Sequence, residues 1–239
     1  MVEGKYILIT GAARRIGQVL AITAAKAGAN IILHHSDSPD EAQEVADEIR
    51  QLKKDCRIIR ADFSNPQKAI EVIGKSVENL PVYALVNNAA IFEPVNFNNT
   101  SLFQWQTHID INLTVPFLLS QLLAVQKNIG LERIINIVDW RALRPGKDHF
   151  PYTICKAGLV AMTQAMAVAL APQIQVNALA LGAILPPTDG RTDDRIISTI
   201  PMGRSAKLEE LSQAFLFLLK GPAYMTGEII HLDGGRHLV

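Results

Sequence analysis

The chain has 239 residues, 49% of them hydrophobic, and its 23 basic and 23 acidic side chains cancel. That length buries a full core as one large α/β domain, and the balanced charge lacks the basic excess of a nucleic-acid-binding face. No uninterrupted apolar run reaches the roughly 18 residues of a membrane span, and Met1–Lys5 enters a strand without a signal-peptide hydrophobic region.

Short β-branched runs alternate with longer amphipathic segments, the pattern of a parallel sheet covered by helices. In chain order the spacing predicts strand Tyr6–Thr10, helix Arg15–Ala27, strand Asn30–His34, helix Pro39–Lys53 and strand Arg57–Arg60. Helix Pro66–Glu78 follows, its start marked by Ser64-Asn65-Pro66, a capping side chain before a first-turn proline. Strand Tyr83–Asn87 is apolar on both faces, as a buried parallel strand is. Then come helix Leu102–Asn128, strand Arg133–Val138, helix Tyr152–Leu170, strand Ile174–Ala178, helix Leu208–Lys220 and strand Glu228–Leu232. The expected fold is a single-domain α/β, Rossmann-type doubly wound parallel sheet of about seven strands with helices on both faces. No repeat or linker divides the chain; residues Ala183–Lys207 are the one long non-periodic stretch, expected to be a lid or binding loop.

The first strand runs into Thr10-Gly11-Ala12-Ala13-Arg14-Arg15-Ile16-Gly17 and a helix. Glycines at the two ends of such a turn let backbone N–H groups approach a pyrophosphate at the helix N-terminus. A plain strand–helix connection would look similar, but Arg14 and Arg15 oppose the helix dipole, and a bound anion is the natural reason to tolerate them. The second strand ends Leu33-His34-His35-Ser36, without the carboxylate that binds ribose hydroxyls in NAD-selective proteins. Together these features favour NADP(H). Asp37 either lies near the 2′-phosphate or caps the helix at Pro39, and Asp62 either reaches an adenine amino group or caps a helix.

Asp139-Trp140-Arg141 through Tyr152-Thr153-Ile154-Cys155-Lys156 is the segment richest in chemistry. Tyr152 and Lys156 are one helical turn apart, and an ammonium beside a phenol favours the phenolate. Asp139 lies thirteen residues before the tyrosine, at the carboxyl end of a central strand, where open α/β sheets bind ligands. A carboxylate there would repel the oxyanion of a reduced ketone. A ring C=N bond instead needs hydride at carbon and a proton at nitrogen, which a carboxyl linked to the tyrosine hydroxyl delivers. Cys56 and Cys155 form neither a disulfide framework nor a metal site by spacing, which points to a reducing, cytoplasmic setting. Trp105 and Trp140 are expected in packing, and no metal site is expected, because adjacent His34 and His35 point to opposite faces of a strand.

Taken together these residues resemble the short-chain dehydrogenase/reductase family across nearly the whole chain. Gly11 through Gly17 is similar to its cofactor turn, Asn87-Asn88-Ala89-Ala90 to its Asn-Asn-Ala-Gly segment, and Asn112 to the asparagine of its long helix. Tyr152 with Lys156 resembles its catalytic pair, and Thr226-Gly227 with Asp233-Gly234-Gly235 its C-terminal strand. Three departures, Arg15 for a glycine, Asp139 for a serine and the ending Gly235-Arg236-His237-Leu238, resemble the pteridine reductase branch, including its dihydromonapterin reductase members. That branch often has a serine where this chain has Ala90.

The resemblance implies NADPH-dependent hydride transfer to a dihydropterin C=N bond, with dihydrofolate a further candidate substrate. Asp139, Tyr152, Lys156 and Asn112 are then the catalytic set: Asp139 and Tyr152 as proton relay, Lys156 on the nicotinamide ribose, and Asn112 anchoring a water that links the lysine to solvent. The cofactor set comprises Gly11, Arg14, Arg15, Ile16 and Gly17 in the turn, then His34, His35, Ser36, Asp62 and Phe63. Asn88, Ala89, Ala90, Tyr152, Lys156, Gly182 and Ile184 complete it. Phe92 is expected to stack on the substrate ring, with Arg15 bridging ring and phosphate. A homotetramer is also implied, in which Arg236 or His237 of one subunit could face a neighbouring pocket. The rival readings are a carbonyl reductase acting on a 3-oxoacyl thioester or similar ketone, and a catalytically silent NADP(H)-binding sensor.

Overall fold

The structure, a computed structural model, describes residues 2–126, 130–185 and 197–239. Its strands are β1 (Tyr6–Ile9), β2 (Asn30–His35), β3 (Cys56–Arg60), β4 (Val82–Asn87), β5 (Arg133–Asp139), β6 (Gln175–Leu181) and β7 (Ile229–Leu232). They form one seven-stranded sheet in the order β3-β2-β1-β4-β5-β6-β7, with every neighbouring pair parallel. The helices are α1 (Arg15–Lys26), α2 (Pro39–Gln51), α3 (Pro66–Val77), α4 (Leu102–Ile109), α5 (Val115–Val125), α6 (Phe150–Leu170) and α7 (Leu208–Lys220).

Side chains alternate across each strand, so neighbouring residues feed two cores. Ile7 and Ile9 pack with Leu20 of α1, Val45 of α2 and Phe215 of α7, whereas Leu8 packs with Ile73 of α3 and Leu119 of α5. Phe215 has no solvent exposure, and burying a side chain of that class contributes roughly 1.5–3 kcal/mol. The order reverses between β1 and β4, and a crevice opens there at the carboxyl ends of the strands.

The expected helix Leu102–Asn128 is divided. Ser101 and Gln104 form a capping box at the start of α4, and a π-helical segment over Asp110–Thr114 separates α4 from α5. Such π segments often mark functional positions, and this one carries Asn112. Asn128 lies outside the described residues. Most expected boundaries move by a residue or two, and near the site β6 runs on to Leu181, β5 includes Asp139, and α6 starts at Phe150.

Buried polar groups tie the layers together. Asn87 on β4 donates to Asn136 on β5 at 2.9 Å, and Asn136 donates to Thr163 on α6 at 2.8 Å. Arg133 is 7% exposed. It donates to Tyr83 Oη and to the Leu218 and Gly221 carbonyls, neutralising the carboxyl end of α7.

Candidate active site

The turn after β1 is a tight cradle. Gly11 has φ +62°, and a Cβ added at Gly17 would lie 2.0 Å from the Gly11 carbonyl oxygen and 2.7 Å from Asn88 Nδ2. Only glycine fits at position 17, so the backbone closes to the spacing a pyrophosphate needs at the mouth of α1. Arg14 and Arg15 are exposed there, and Arg15 takes φ +54°, a left-handed conformation rare outside glycine. Asn88 Nδ2 donates to the carbonyls of Thr10 and Gly11, at 2.8 and 3.1 Å, stitching the end of β4 to the turn. Thr10 Oγ1 accepts from the N–H groups of Asn88 and Ala89, at 2.9 and 3.0 Å. These residues therefore fit a dinucleotide phosphate group.

His34 has a different place from the one expected. It is 1% exposed and stacks on Phe63 with ring centroids 4.1 Å apart. Its Nδ1 accepts the Gly11 N–H at 3.1 Å while Nε2 faces the Ala61 carbonyl at 2.9 Å. Burial holds its pKa down at about 4, so the ring is neutral. His34 and Phe63 thus present no side chain to the crevice; they support the turn from beneath. His35 is likewise buried, its Nδ1 accepting the Ser38 N–H. Ile184 is buried in the core, and Gly182 is needed because a Cβ there would lie 2.6 Å from Asp233 Cα. Of the cofactor set beyond the turn, Ser36 and Ala90 are exposed, and Ala89 is half-buried.

Beyond the ends of β2 and β3 lies a cavity of about 710 Å³ lined by Ser36, Asp37, Arg60, Asp62, Ser64 and Lys68, among others. Arg60 Nε donates to the Ser36 carbonyl at 3.1 Å and the guanidinium lies 3.6 Å from Asp37. Asp37 does not cap α2, which Ser38 precedes. Asp62 uses both oxygens on Ser64 and does not cap α3, whose cap is Asn65. One residue that sequence reading missed is Arg60: it ends a strand with the positive charge expected at the ribose end, but its position is visible only once β2 and β3 pair.

At the other end of the crevice α6 carries Tyr152 and Lys156, 7% and 3% exposed. Lys156 Nζ donates to the Ile137 carbonyl at 2.7 Å and lies 5.6 Å from the Tyr152 ring centroid. Burial draws its pKa down to about 8. The tyrosine is not drawn toward phenolate. Burial, then the charge and hydrogen bonding of Asp139, push its pKa well above the ordinary phenol value. Burial disfavours the charged phenolate, and the Asp139 carboxylate disfavours a second negative charge beside it. Asp139 is raised in turn by burial, against the pull of Arg141, Lys156 and Arg236. Its Oδ1 also accepts the Arg141 N–H at 2.9 Å, which orients the carboxyl. The tyrosine is therefore set to keep its proton until a substrate takes it.

Asn112 is fully buried, but its side chain is committed: Oδ1 accepts the Ile91 N–H at 2.9 Å and Nδ2 donates to the Ile91 carbonyl at 3.1 Å. It fixes the segment that leads to Phe92. Phe92 is 51% exposed and meets the Tyr152 ring edge-on at 4.7 Å. Sequence reading missed three neighbours: Arg141, Asp148 and His149. Trp140 is more than packing, since Arg141 and Arg236 lie 4.8 and 4.1 Å from its ring. Arg236 and His237 are docked within their own chain, His237 Nδ1 lying 2.7 Å from Asp233 Oδ2. Of the expected lid, residues 186–196 lie outside the described residues. No cluster of three metal-binding side chains occurs among the described residues.

The fold, the glycine cradle and the Asp139–Tyr152–Lys156 group have counterparts in known proteins. A family profile described as enoyl-(acyl carrier protein) reductase, of the short-chain type, matches residues 11–237. The chain belongs to the short-chain dehydrogenase/reductase family. It is an oxidoreductase of that family. It is 33% identical to the 3-oxoacyl-[acyl-carrier-protein] reductase FabG of Aquifex aeolicus, over 98% of this chain and 97% of that one. A reductase of the same name from Synechocystis is 31% identical over 95% of both chains. Among solved structures it resembles FolM alternative dihydrofolate reductase 1 from Brucella canis, complexed with NADP. The TM-score is 0.90 at 30% identity, covering 100% of this chain and 96% of that one.

Proposed function

We propose that this oxidoreductase reduces the C=N bond of a dihydropterin, with dihydrofolate as a further candidate substrate. Its cofactor is NADP(H), in keeping with a second strand that ends without an acid and with Arg60 at that end. The observation that carries the substrate reading is Asp139, a half-buried carboxyl group at the end of β5 beside the buried Tyr152. A ketone reduced there would develop negative charge against a carboxylate; an imine nitrogen takes up a proton instead. The likeness to the Brucella FolM structure supports the same substrate class.

NADPH supplies the hydride. Gly11, Gly17 and the exposed Arg14 and Arg15 hold its phosphates, Arg60 and Ser36 its ribose end, and Lys156 the nicotinamide ribose. Tyr152, which burial keeps protonated, gives its proton to the ring nitrogen, and Asp139 beside it passes a proton from solvent back to the phenolate. Phe92 offers the flat face on which the pterin lies. The apolar outer side of α4–α6, where Phe103 is 79% and Val168 83% exposed, fits a homotetramer, since helices apolar beyond one stripe need a second partner.

The curated relatives favour a second reading, reduction of a 3-oxoacyl thioester. NADPH oxidation with dihydromonapterin, dihydrobiopterin and dihydrofolate, beside an acetoacetyl thioester, separates the two. Turnover of a dihydropterin that collapses in Asp139→Ser supports the proposal. Turnover of the thioester alone, kept or improved by serine, makes the protein a ketone reductase.

A further inference from the structure

The face of Phe92 carries an occupant from its own chain. The imidazole of His149 lies parallel to it, with ring centroids 3.8 Å apart and planes inclined by 7°. In the plane of that imidazole, Nδ1 meets Asp148 Oδ2 at 3.0 Å. The same Asp148 oxygen is held by Arg141 Nη2 at 3.1 Å, and the Arg141 guanidinium lies 5.5 Å from the Phe92 ring centroid. Phe92 in turn touches Tyr152 edge-on. A flat nitrogen heterocycle thus already sits one ring from the phenol, stacked on an aromatic face, with a carboxylate beside its ring nitrogen.

His149 is also held in an unfavourable backbone conformation. It stands before α6 with φ +52° and ψ +44° and makes no side-chain capping bond there. Histidine tolerates the left-handed region better than most residues but at some cost. The stack on Phe92 and the contact with Asp148 are what the position gains in exchange.

We infer that His149 and Asp148 select the substrate: the imidazole is an internal stand-in for a planar heterocycle, and the substrate displaces it, taking its face on Phe92 and its in-plane acceptor on Asp148. This rests on the dihydropterin reading for the substrate's identity but not for the shape of the site. The ligand class is a flat heteroaromatic ring with an N–H donor in its plane. An open-chain 3-oxoacyl group offers neither feature. Arg141 is a positioning residue, since it fixes the carboxylate that the ring N–H meets.

Binding of oxidised biopterin, followed by quenching of its fluorescence on the NADP-loaded protein, tests this together with dihydrobiopterin kinetics. His149→Asn keeps a residue suited to positive φ and removes the ring. An aromatic stack of this kind is worth roughly 2- to 12-fold in affinity. Biopterin is expected to bind tighter by that order in His149→Asn, with KM for dihydrobiopterin falling more than kcat changes. His149→Phe, a ring that stacks without needing Asp148, is expected to weaken binding, as is Asp148→Asn. Unchanged or weaker binding in His149→Asn overturns the inference. If binding shifts as expected but no dihydropterin is reduced by the wild type, the stand-in role holds and the proposed reaction fails. If dihydropterin is reduced and the variants leave binding unmoved, the reaction holds and the inference fails.

Discussion

His34 couples the pH of the medium to the phosphate turn, and the size of the effect follows from its surroundings. The ring is buried and neutral, accepting the Gly11 N–H on Nδ1 and facing the Ala61 carbonyl through Nε2. Its folded pKa, about 4, lies below the ordinary 6.5, with burial as the main cause. The unfolded chain therefore takes up the proton first on acidification. Stability from this site is complete above about pH 6.5 and is lost as the pH falls toward 4. That interval, at about 1.36 kcal/mol per pH unit, amounts to about 3 kcal/mol. For a chain of this size the melting temperature moves about 2–4 °C per kcal/mol, so the loss is roughly 6–12 °C. Protonation also turns Nδ1 into a donor facing the Gly11 N–H, so the cradle loosens and NADP(H) affinity falls over the same range. The assay is thermal unfolding of wild type and His34→Gln between pH 7 and 4, with NADP(H) binding alongside. Glutamine keeps a donor for the Ala61 carbonyl and does not titrate, so its melting temperature should fall less by that amount. Equal slopes in the two proteins would refute the reasoning, because the proton would then be taken up elsewhere.

Gly17→Ala should raise KM for NADPH at least tenfold, since the added methyl meets the Gly11 carbonyl at 2.0 Å; wild-type kinetics in this variant would mean that the cradle is not the phosphate site. Arg60→Ser should raise KM for NADPH about tenfold and leave NADH nearly unchanged, a charge-assisted contact being worth roughly 1.5–3 kcal/mol; equal losses with both cofactors would place the 2′-phosphate elsewhere. NADPH binding to the free enzyme should weaken above about pH 8, where buried Lys156 loses its charge, and Lys156→Met should abolish that limb of the profile. Asp139→Asn should cut kcat for a dihydropterin by roughly 10²–10⁴, the usual worth of a general acid–base group, with a smaller change in KM.

Much of this molecule is legible in its amino-acid order because the signals are local. The alternation of β-branched runs with amphipathic segments depends on neighbours a few residues apart, and all seven strands fall where that period places them. Gly11, Gly17, Tyr152 and Lys156 are readable for the same reason: a turn needs glycine within its own few residues, and a helix brings i and i+4 together. Asp139 was legible as a chemical oddity, by what a carboxylate does beside a tyrosine. Its effect on that tyrosine was not, because the raised pKa comes from burial that no spacing expresses.

Side-chain direction needed the assembled sheet. His34 and His35 were placed among the cofactor residues at the end of a strand, yet His34 turns under the β1 turn and stacks on Phe63, beyond the end of β3. Asn112 was placed by its motif, but its pairing with the Ile91 backbone shows only once the π segment is built. Arg60, Arg141, Asp148 and His149 carry no motif, since each acquires its place from a partner far along the chain or from a bend at the end of an element. Local order chooses the elements; burial and long-range pairing choose which way each functional group faces and which charge state it keeps.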